Sequence, residues 1–396
     1  MRASASPPLL DVRFPHGVPF ATAREHEEAL SLVRRLVAAS GFGDPDASPG
    51  AVSLEPLTGG RSGAWVFKLT PLAGSGRPAG GPPVIVKIAP RAQGLREKAN
   101  YDRFVRPGLP AACRAELLGV AGTRDRFAVC YAFAGGRDGS RPETLTDHLQ
   151  RGDTAALDRV LRDIVAPLRN TWYGPDLIRQ ESDIARLYLK RYFAGKRGAA
   201  KDGAALRACA ARYFGARRKG ARCVIGEVSF PSPDAVLFVH GLKRPGHSCI
   251  VHGDLNTDNI VVAPDRGGVT LIDFQKTGRG HVYQDLASLE ASIRINFPPD
   301  APYGDILETE RLIALGRPDP RATPYAAAIR TIRAVAFRQF GGLEDDATYP
   351  FAIAALGLRL MEAVDLSDIA RARIAISALW AAKVLAANVL ADGPPA

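Results

Sequence analysis

The chain has 396 residues, of which 46% are hydrophobic and 23% charged, with a net charge of +11. That is too long for one ordinary core and too apolar for a disordered or fibrous chain. Five cysteines with no C-x-x-C argue for a reducing, cytoplasmic compartment, and neither a signal peptide (no apolar h-region in residues 1 to 20) nor a membrane span is expected, since the Ala-rich stretch Ile374 to Ala391 holds Lys383 and Asn388.

Ala23 to Ala39 has helical spacing at Ala29, Leu30, Leu32, Val33, Leu36 and Val37, with Thr22 as N-cap. Gly-, Asp- and Pro-rich residues 41 to 50 end it. Val52 to Leu57 and Ala64 to Leu69 read as strands around Thr58-Gly59-Gly60-Arg61-Ser62-Gly63. A glycine-rich hairpin lets backbone N–H groups approach phosphates without Cβ clashes; an ordinary β-turn is the alternative. Val84 to Ala89 is a buried strand carrying Lys87, which is costly there unless a neighbour neutralises it. Glu97, on the next helix, is the candidate partner, although Arg96 and Lys98 flank it as on a solvated face.

Ala115 to Gly119 and Phe127 to Phe133 read as two further strands, and Cys130 as core. The second strand runs into Ala134-Gly135-Gly136, a natural hinge. Ala155 to Leu168, capped by Asp153 or Thr154, and Asp176 to Phe193 have helix-like spacing. Residues 161 to 250 hold 17 Lys or Arg against 7 Asp or Glu, a net +10, so nearly all the excess charge lies here. Two strings, Arg191 to Ala199 and Arg212 to Ala221, each join a Tyr-Phe pair to a basic cluster. They read as solvated helix ends, or as a surface, residues 190 to 222, that docks an anionic partner. No nucleic-acid-binding motif accompanies them, which ranks nucleic acid last among such partners. His240, His247, Cys249 and His252 match no zinc-ligand spacing.

The most informative stretch follows. His252-Gly-Asp254 with Asn259 has the spacing H-x-D-x-x-x-x-N, and the apolar run Val269 to Ile272 delivers Asp273 at a strand end. Phosphoryl transfer from ATP needs one carboxylate to orient or deprotonate the attacking hydroxyl. It needs a second carboxylate and a carboxamide to hold Mg²⁺ against the phosphates.

His252-Gly-Asp254-Leu with Asn259, then Ile-Asp273-Phe, resembles the aminoglycoside phosphotransferase and choline-kinase-like enzymes, which share a fold with protein kinases. The resemblance is tightest over residues 250 to 290 and weaker over 54 to 135. It implies an α+β, two-lobed fold: an extension over 1–50, an antiparallel nucleotide-binding lobe over 51–135, and a mainly helical lobe over 136–248 and 249–396. It implies ATP and Mg²⁺ as cofactors, Asp254 as base beside His252, Asn259 and Asp273 on the metal, and Lys87 on the α- and β-phosphates, held by Glu97. Gly59, Gly60, Arg61, Ser62 and Gly63 would cover the phosphates, with adenine near Tyr131 to Ala134, including Phe133.

After Asp273 the chain departs from protein kinases: Gln275 stands where a glycine would follow Phe274, and only Lys276 to Tyr283 separates it from Gln284-Asp285. That is too short for a phosphorylatable activation loop. Asp285 resembles the family's structural aspartate, which braces the catalytic loop; capping the helix Leu286 to Arg294 is the alternative. His281 reads as a loop residue. Tyr325 to Phe340, Phe351 to Val364 and Ser367 to Leu390 read as amphipathic or buried helices, and the resemblance implies that such helices build the acceptor pocket. Glu344, Asp345, Asp346, Glu362, Asp365 and Asp368 either face a cation there or sit at helix ends. The acceptor is a small-molecule hydroxyl, an antibiotic or metabolite, or alternatively a peptide or protein Ser/Thr. An inactive ATP-binding scaffold is the third class.

Overall fold

The computed structural model describes residues 10–14, 20, 22–40, 51–57, 63–72, 82–134, 142–174, 180–193, 195–220, 222–238, 245–262, 268–297, 301–321, 323–345 and 347–391. The chain divides into two compact units, one of Met1–Pro142 with Ala263–Lys276, the other of Glu143–Val262 with Thr277–Ala396. The first is built on a β-sheet, and the second is larger and mainly helical, an α+β architecture.

The sheet of the first unit comprises β1 (Asp11–Arg13), β2 (Ala51–Pro56), β3 (Trp65–Leu72), β4 (Val84–Pro90), β5 (Leu117–Gly122) and β6 (Arg126–Ala132). Their order is β1-β2-β3-β4-β6-β5, parallel between β1 and β2 and antiparallel elsewhere. Alternation sorts the faces. Val84, Val86 and Ile88 of β4 join Leu54, Phe67, Leu69, Ala128 and Cys130 under α1 (Ala23–Ser40), which lays down Ala29, Leu32, Val33 and Leu36. Each Val, Leu, Ile or Phe side chain among them contributes about 1.5–3 kcal/mol of burial. Thr22 caps α1, its Oγ1 accepting from Glu25 N at 3.2 Å. Cys130 is core, its thiol pushed up to about 12 by burial.

The opposite face receives α2 (Arg91–Asn100), which continues as a π-helical turn over Tyr101–Val105. Gly94 permits the approach: a Cβ there would lie 2.8 Å from Phe127 Cβ. This close packing brings Glu97 onto the sheet.

In the second unit, the segment expected as one helix over 176 to 193 is split. Gln180–Asp183 is a strand paired antiparallel with Pro245–His247, and the helix is Ile184–Tyr192. Asp183 sets the boundary, its Oδ1 accepting from Ala185 N and Arg186 N. The second basic string is also not simply a helix end. Gly215, at φ 62°, stops helix Gly195–Phe214, Ala216 N bonding back to Ala210 O, and Arg217–Lys219 then forms a strand beside Arg222–Ile225. Arg207, Arg212 and Arg222 are engaged with Asp234, Asp368 and Ser229 respectively, while Arg217, Arg218 and Lys219 are exposed.

His281 is no loop residue. It closes strand Gly278–His281, fully buried, between Tyr188 Oη at 3.2 Å and Glu344 at 3.4 Å. Glu344 also accepts from His247, so this carboxylate ties strands together and is neither a cation ligand nor a mere helix-end charge. Arg294, buried on helix Gln284–Asn296, bonds Glu290 at 2.7 Å and Glu310 at 3.0 Å; Arg333 and Tyr349 complete the Glu290 shell. Breaking one partner of such a cluster strands a buried charge, at about 3–5 kcal/mol.

Candidate active site

In the first unit the sheet places Lys87 on the face of β4 that meets α2. Its Nζ lies 2.9 Å from Glu97 Oε2 and 2.9 Å from Asp273 Oδ1, and its side chain is 9% exposed. Burial would lower the Lys87 pKa, but Glu97 and Asp273 outweigh it and raise the value. Glu97 is itself raised, because burial outweighs the pull of Lys87. Tyr131, expected beside adenine, donates its hydroxyl to Glu97 Oε1 at 2.9 Å, and the Phe133 ring stands 5.4 Å from Lys68 Nζ. One ammonium thus holds two carboxylates, one buried and one still 30% exposed.

Asp273 has φ 63°, the one positive-φ residue other than glycine among the described residues. Such a conformation costs on the order of 1–3 kcal/mol and persists only where its surroundings over-determine it. Those surroundings are visible. Lys87 holds the carboxylate, and Asn100 Nδ2 donates to the carbonyls of Gln275 at 2.8 Å and Phe274 at 3.3 Å. Of the glycine-rich turn, Gly63 has φ 68°; Gly59, Gly60, Arg61 and Ser62 lie outside the described residues, as do Gly135 and Gly136 of the expected hinge.

In the second unit strand Pro245–Val251 feeds directly into His252-Gly-Asp254. The loop hangs on Asp285. His252 N donates to its Oδ2 at 2.7 Å, Gly253 N to Oδ1 at 2.9 Å, and Tyr173 Oη to Oδ2 at 2.8 Å. Asp285 therefore braces the loop and does not cap its helix. Asn259 Nδ2 donates to Asp254 O at 2.9 Å, which spends the amide nitrogen internally. Asn256 caps the short turn Thr257–Asn259. Thr257 is bonded to Thr146 at 2.7 Å and receives Asn296 Nδ2 at 2.8 Å. His252 is fully buried, and Thr277 Oγ1 donates to its carbonyl.

A family model described as ternary complex associated domain 9 matches residues 50–194 and 193–336, most of the chain. The chain belongs to the ternary complex associated domain 9 family. No curated protein matches it. Among solved structures, this family member is similar to an aminoglycoside phosphotransferase, APH(3'')-Id from Streptomyces rimosus, at 19% identity and TM-score 0.42, over 87% of this chain and 98% of that one. It is similar to the amicoumacin kinase hAmiN at 14% identity and TM-score 0.44, over 83% and 88% of the two chains. It is similar to an ethanolamine kinase from Plasmodium vivax at 13% identity and TM-score 0.38, over 85% and 84%. The chemistry of this ternary complex associated domain 9 chain rests on its own residues.

Sequence reading missed Asn100, Tyr173, Thr146, Thr257 and Asn296, all of which act through the backbone or hydroxyls of the loops they hold. Their only local signal was a polar residue within an apolar or helical stretch. Among the described residues, no helix is long and apolar enough to cross a membrane.

Proposed function

We propose that this chain is a Mg²⁺·ATP-dependent phosphotransferase that moves the γ-phosphoryl group to a hydroxyl of a small molecule. The observation that carries it is the buried Lys87 ammonium held by Glu97 while it also grips Asp273, the carboxylate kept in a strained backbone conformation. Asp273 in the first unit and the Asn259 carboxamide in the second each carry oxygen atoms of the kind a hard divalent cation takes. Mg²⁺, when bound, would neutralise charge on the phosphate oxygens.

The chain's own residues supply the rest. Lys87 is held charged by its two carboxylates, so it presents a fixed cation to phosphate oxygens. Glu97 keeps that ammonium in place, and Tyr131 and the packing of Gly94 on Phe127 keep Glu97 in place. Asp254 orients the acceptor hydroxyl and takes its proton as the γ-phosphorus–bridging-oxygen bond of ATP gives way to the new O–P bond and ADP leaves. Asp285 fixes the backbone before Asp254, so the carboxylate needs little reorganisation at the moment of transfer.

The test is direct. Purified protein is incubated with Mg·ATP and pools of hydroxyl acceptors, and mass spectrometry looks for phosphorylated products. A protein that neither gains thermal stability from Mg·ATP nor phosphorylates any pool would refute the reading.

A further inference from the structure

We infer that the second unit carries an anion site apart from the catalytic loop: a groove between segment 155–168 and helix Pro324–Phe340 takes a small organic molecule with two anionic groups. The inference goes beyond the phosphotransferase reading and uses none of its residues.

One wall is helix Ala155–Val160, which widens into a π-helical turn over Leu161–Val165 before it ends as Ala166–Leu168. Pro167 gives a physical reason, since in an α turn its ring would crowd the Asp163 carbonyl. The wide turn closes with Ala166 N on Leu161 O. Leu161 and Ala166, five residues apart, then line the groove together with Arg162 and Arg169. The other wall is one face of helix Pro324–Phe340, where Thr331, Val335, Arg338 and Gln339 follow at helical spacing. The space between the walls is about 780 Å³. Small-ligand sites run to about 300–1,000 Å³, so it has room for an organic molecule and not merely for one inorganic ion.

Each wall brings a guanidinium. The side chains of Arg169 and Arg338 are exposed and have no hydrogen-bond or ion-pair partner among the described residues. Arg162 leans on Asp163 at a long 3.4 Å. Asp158 is the one acidic side chain in the lining, so the three arginines keep the groove positive. Gln339 adds a donor: its Nε2 is shut off from solvent and has no hydrogen-bond partner among the described residues. Buried amide donors are nearly always satisfied, and a ligand oxygen in the groove would satisfy this one.

A phosphate or carboxylate matches a guanidinium through two parallel N–H···O bonds. Two such groups, one at each wall, engage Arg169 and Arg338 at once. The carbon skeleton between them covers Leu161, Ala166 and Val335. A cation would meet like charge, and a neutral sugar would leave both guanidiniums unmatched. No lining residue belongs to the catalytic loop, residues 252–259.

Calorimetric titrations and thermal melts of the full chain test the site with separate probes: a pool of organic bisphosphates, a pool of di- and tricarboxylates, inorganic phosphate, neutral sugars and an octaglutamate peptide. One of the first two pools should bind and raise the Tm, and which one tells phosphate from carboxylate. Arg169→Gln and Arg338→Gln should each weaken that binding by about tenfold or more, the worth of a charge-assisted contact. Both positions are exposed, so the bare variants should melt as the wild type does. Lys87→Ala and Arg217→Gln, which remove a charge elsewhere, should leave the anion's affinity unchanged. Binding of inorganic phosphate alone would mean an adventitious ion only, and it overturns the inference. Binding of the peptide alone also overturns it, by making the groove a protein-docking surface. Affinity lost in Lys87→Ala and kept in both groove variants puts the anion in the nucleotide site instead. No binding by either organic pool, or binding that ignores both arginines, is equally fatal.

Discussion

Replacing Asp285 with Asn tests whether the catalytic loop owes its shape to one buried carboxylate. Asp285 is fully buried and accepts three hydrogen bonds, from His252 N, Gly253 N and Tyr173 Oη, at 2.7–2.9 Å. An Asn side chain keeps the shape but has one acceptor oxygen. If that oxygen takes the place of Oδ2, the amide nitrogen faces Gly253 N, and two donors meet with no water to serve either. An unsatisfied buried donor costs about 1–3 kcal/mol, and the two bonds that survive lose their charge assistance, about 1 kcal/mol each. The total is about 3–5 kcal/mol, borne by the residues just before Asp254. Two readouts follow. The Tm should fall by about 6–15 °C for a unit of this size. Turnover should fall by about 10²–10³, because the loop leaves its productive conformation, while Mg·ATP affinity in the surviving folded protein should change little. Thermal melts and steady-state kinetics, run on the same preparation, check both. A variant with wild-type Tm and turnover within about tenfold of wild type would show that the loop is shaped by something else.

Asp254→Ala should cut turnover by at least about 10²-fold and leave Mg·ATP binding near wild type, since positioned proton transfer is lost and the phosphate-holding residues are untouched; binding lost in parallel would refute its role. Asp273→Asn removes the charge while keeping a residue that tolerates φ 63°, so thermal stabilisation by Mg·ATP should vanish without a fall in the Tm of the bare protein, and Lys87→Ala should weaken nucleotide binding. Gly94→Ala should displace α2 from Phe127 and loosen the Lys87–Glu97 pair, raising KM for ATP, whereas an unchanged KM would show that the helix position is not critical. Glu290 gives a pH signature. Burial would raise its pKa, but Arg333 and Arg294 hold it down to about 2. Its stabilisation, on the order of 3 kcal/mol, is complete above the unfolded value near 4.5 and is lost as pH falls from there towards 2. Glu290→Gln should flatten the acid limb of a Tm-against-pH curve, and an unchanged limb would contradict the depressed value.

Several features were set by the sequence alone because they are local. The spacing from His252 through Asp254 to Asn259 is a property of one loop and needs no partner to be read. The apolar alternation of Val84 to Ala89 fixed a buried strand and made Lys87 conspicuous, and the period of Ala29 to Val37 with Thr22 before it fixed α1. Other features only the tertiary structure decided. Lys87 and Asp273 are 186 residues apart in the chain, yet their side chains meet at 2.9 Å. Glu97 stands between two basic residues, so only the close packing of Gly94 on Phe127 turns it from a solvated face to the buried partner of Lys87. Asp285 had two equal readings until the backbone of His252 and Gly253 was seen to lie on its oxygens. The helix expected across 176 to 193 yields a strand at Gln180–Asp183 because a distant strand offers its edge there. His281, Glu344 and the Arg294 cluster were missed for the same reason. A short-range pattern reports period, caps and turns. Which buried charge finds which counter-charge depends on register and helix packing, and these bring together residues far apart in the chain.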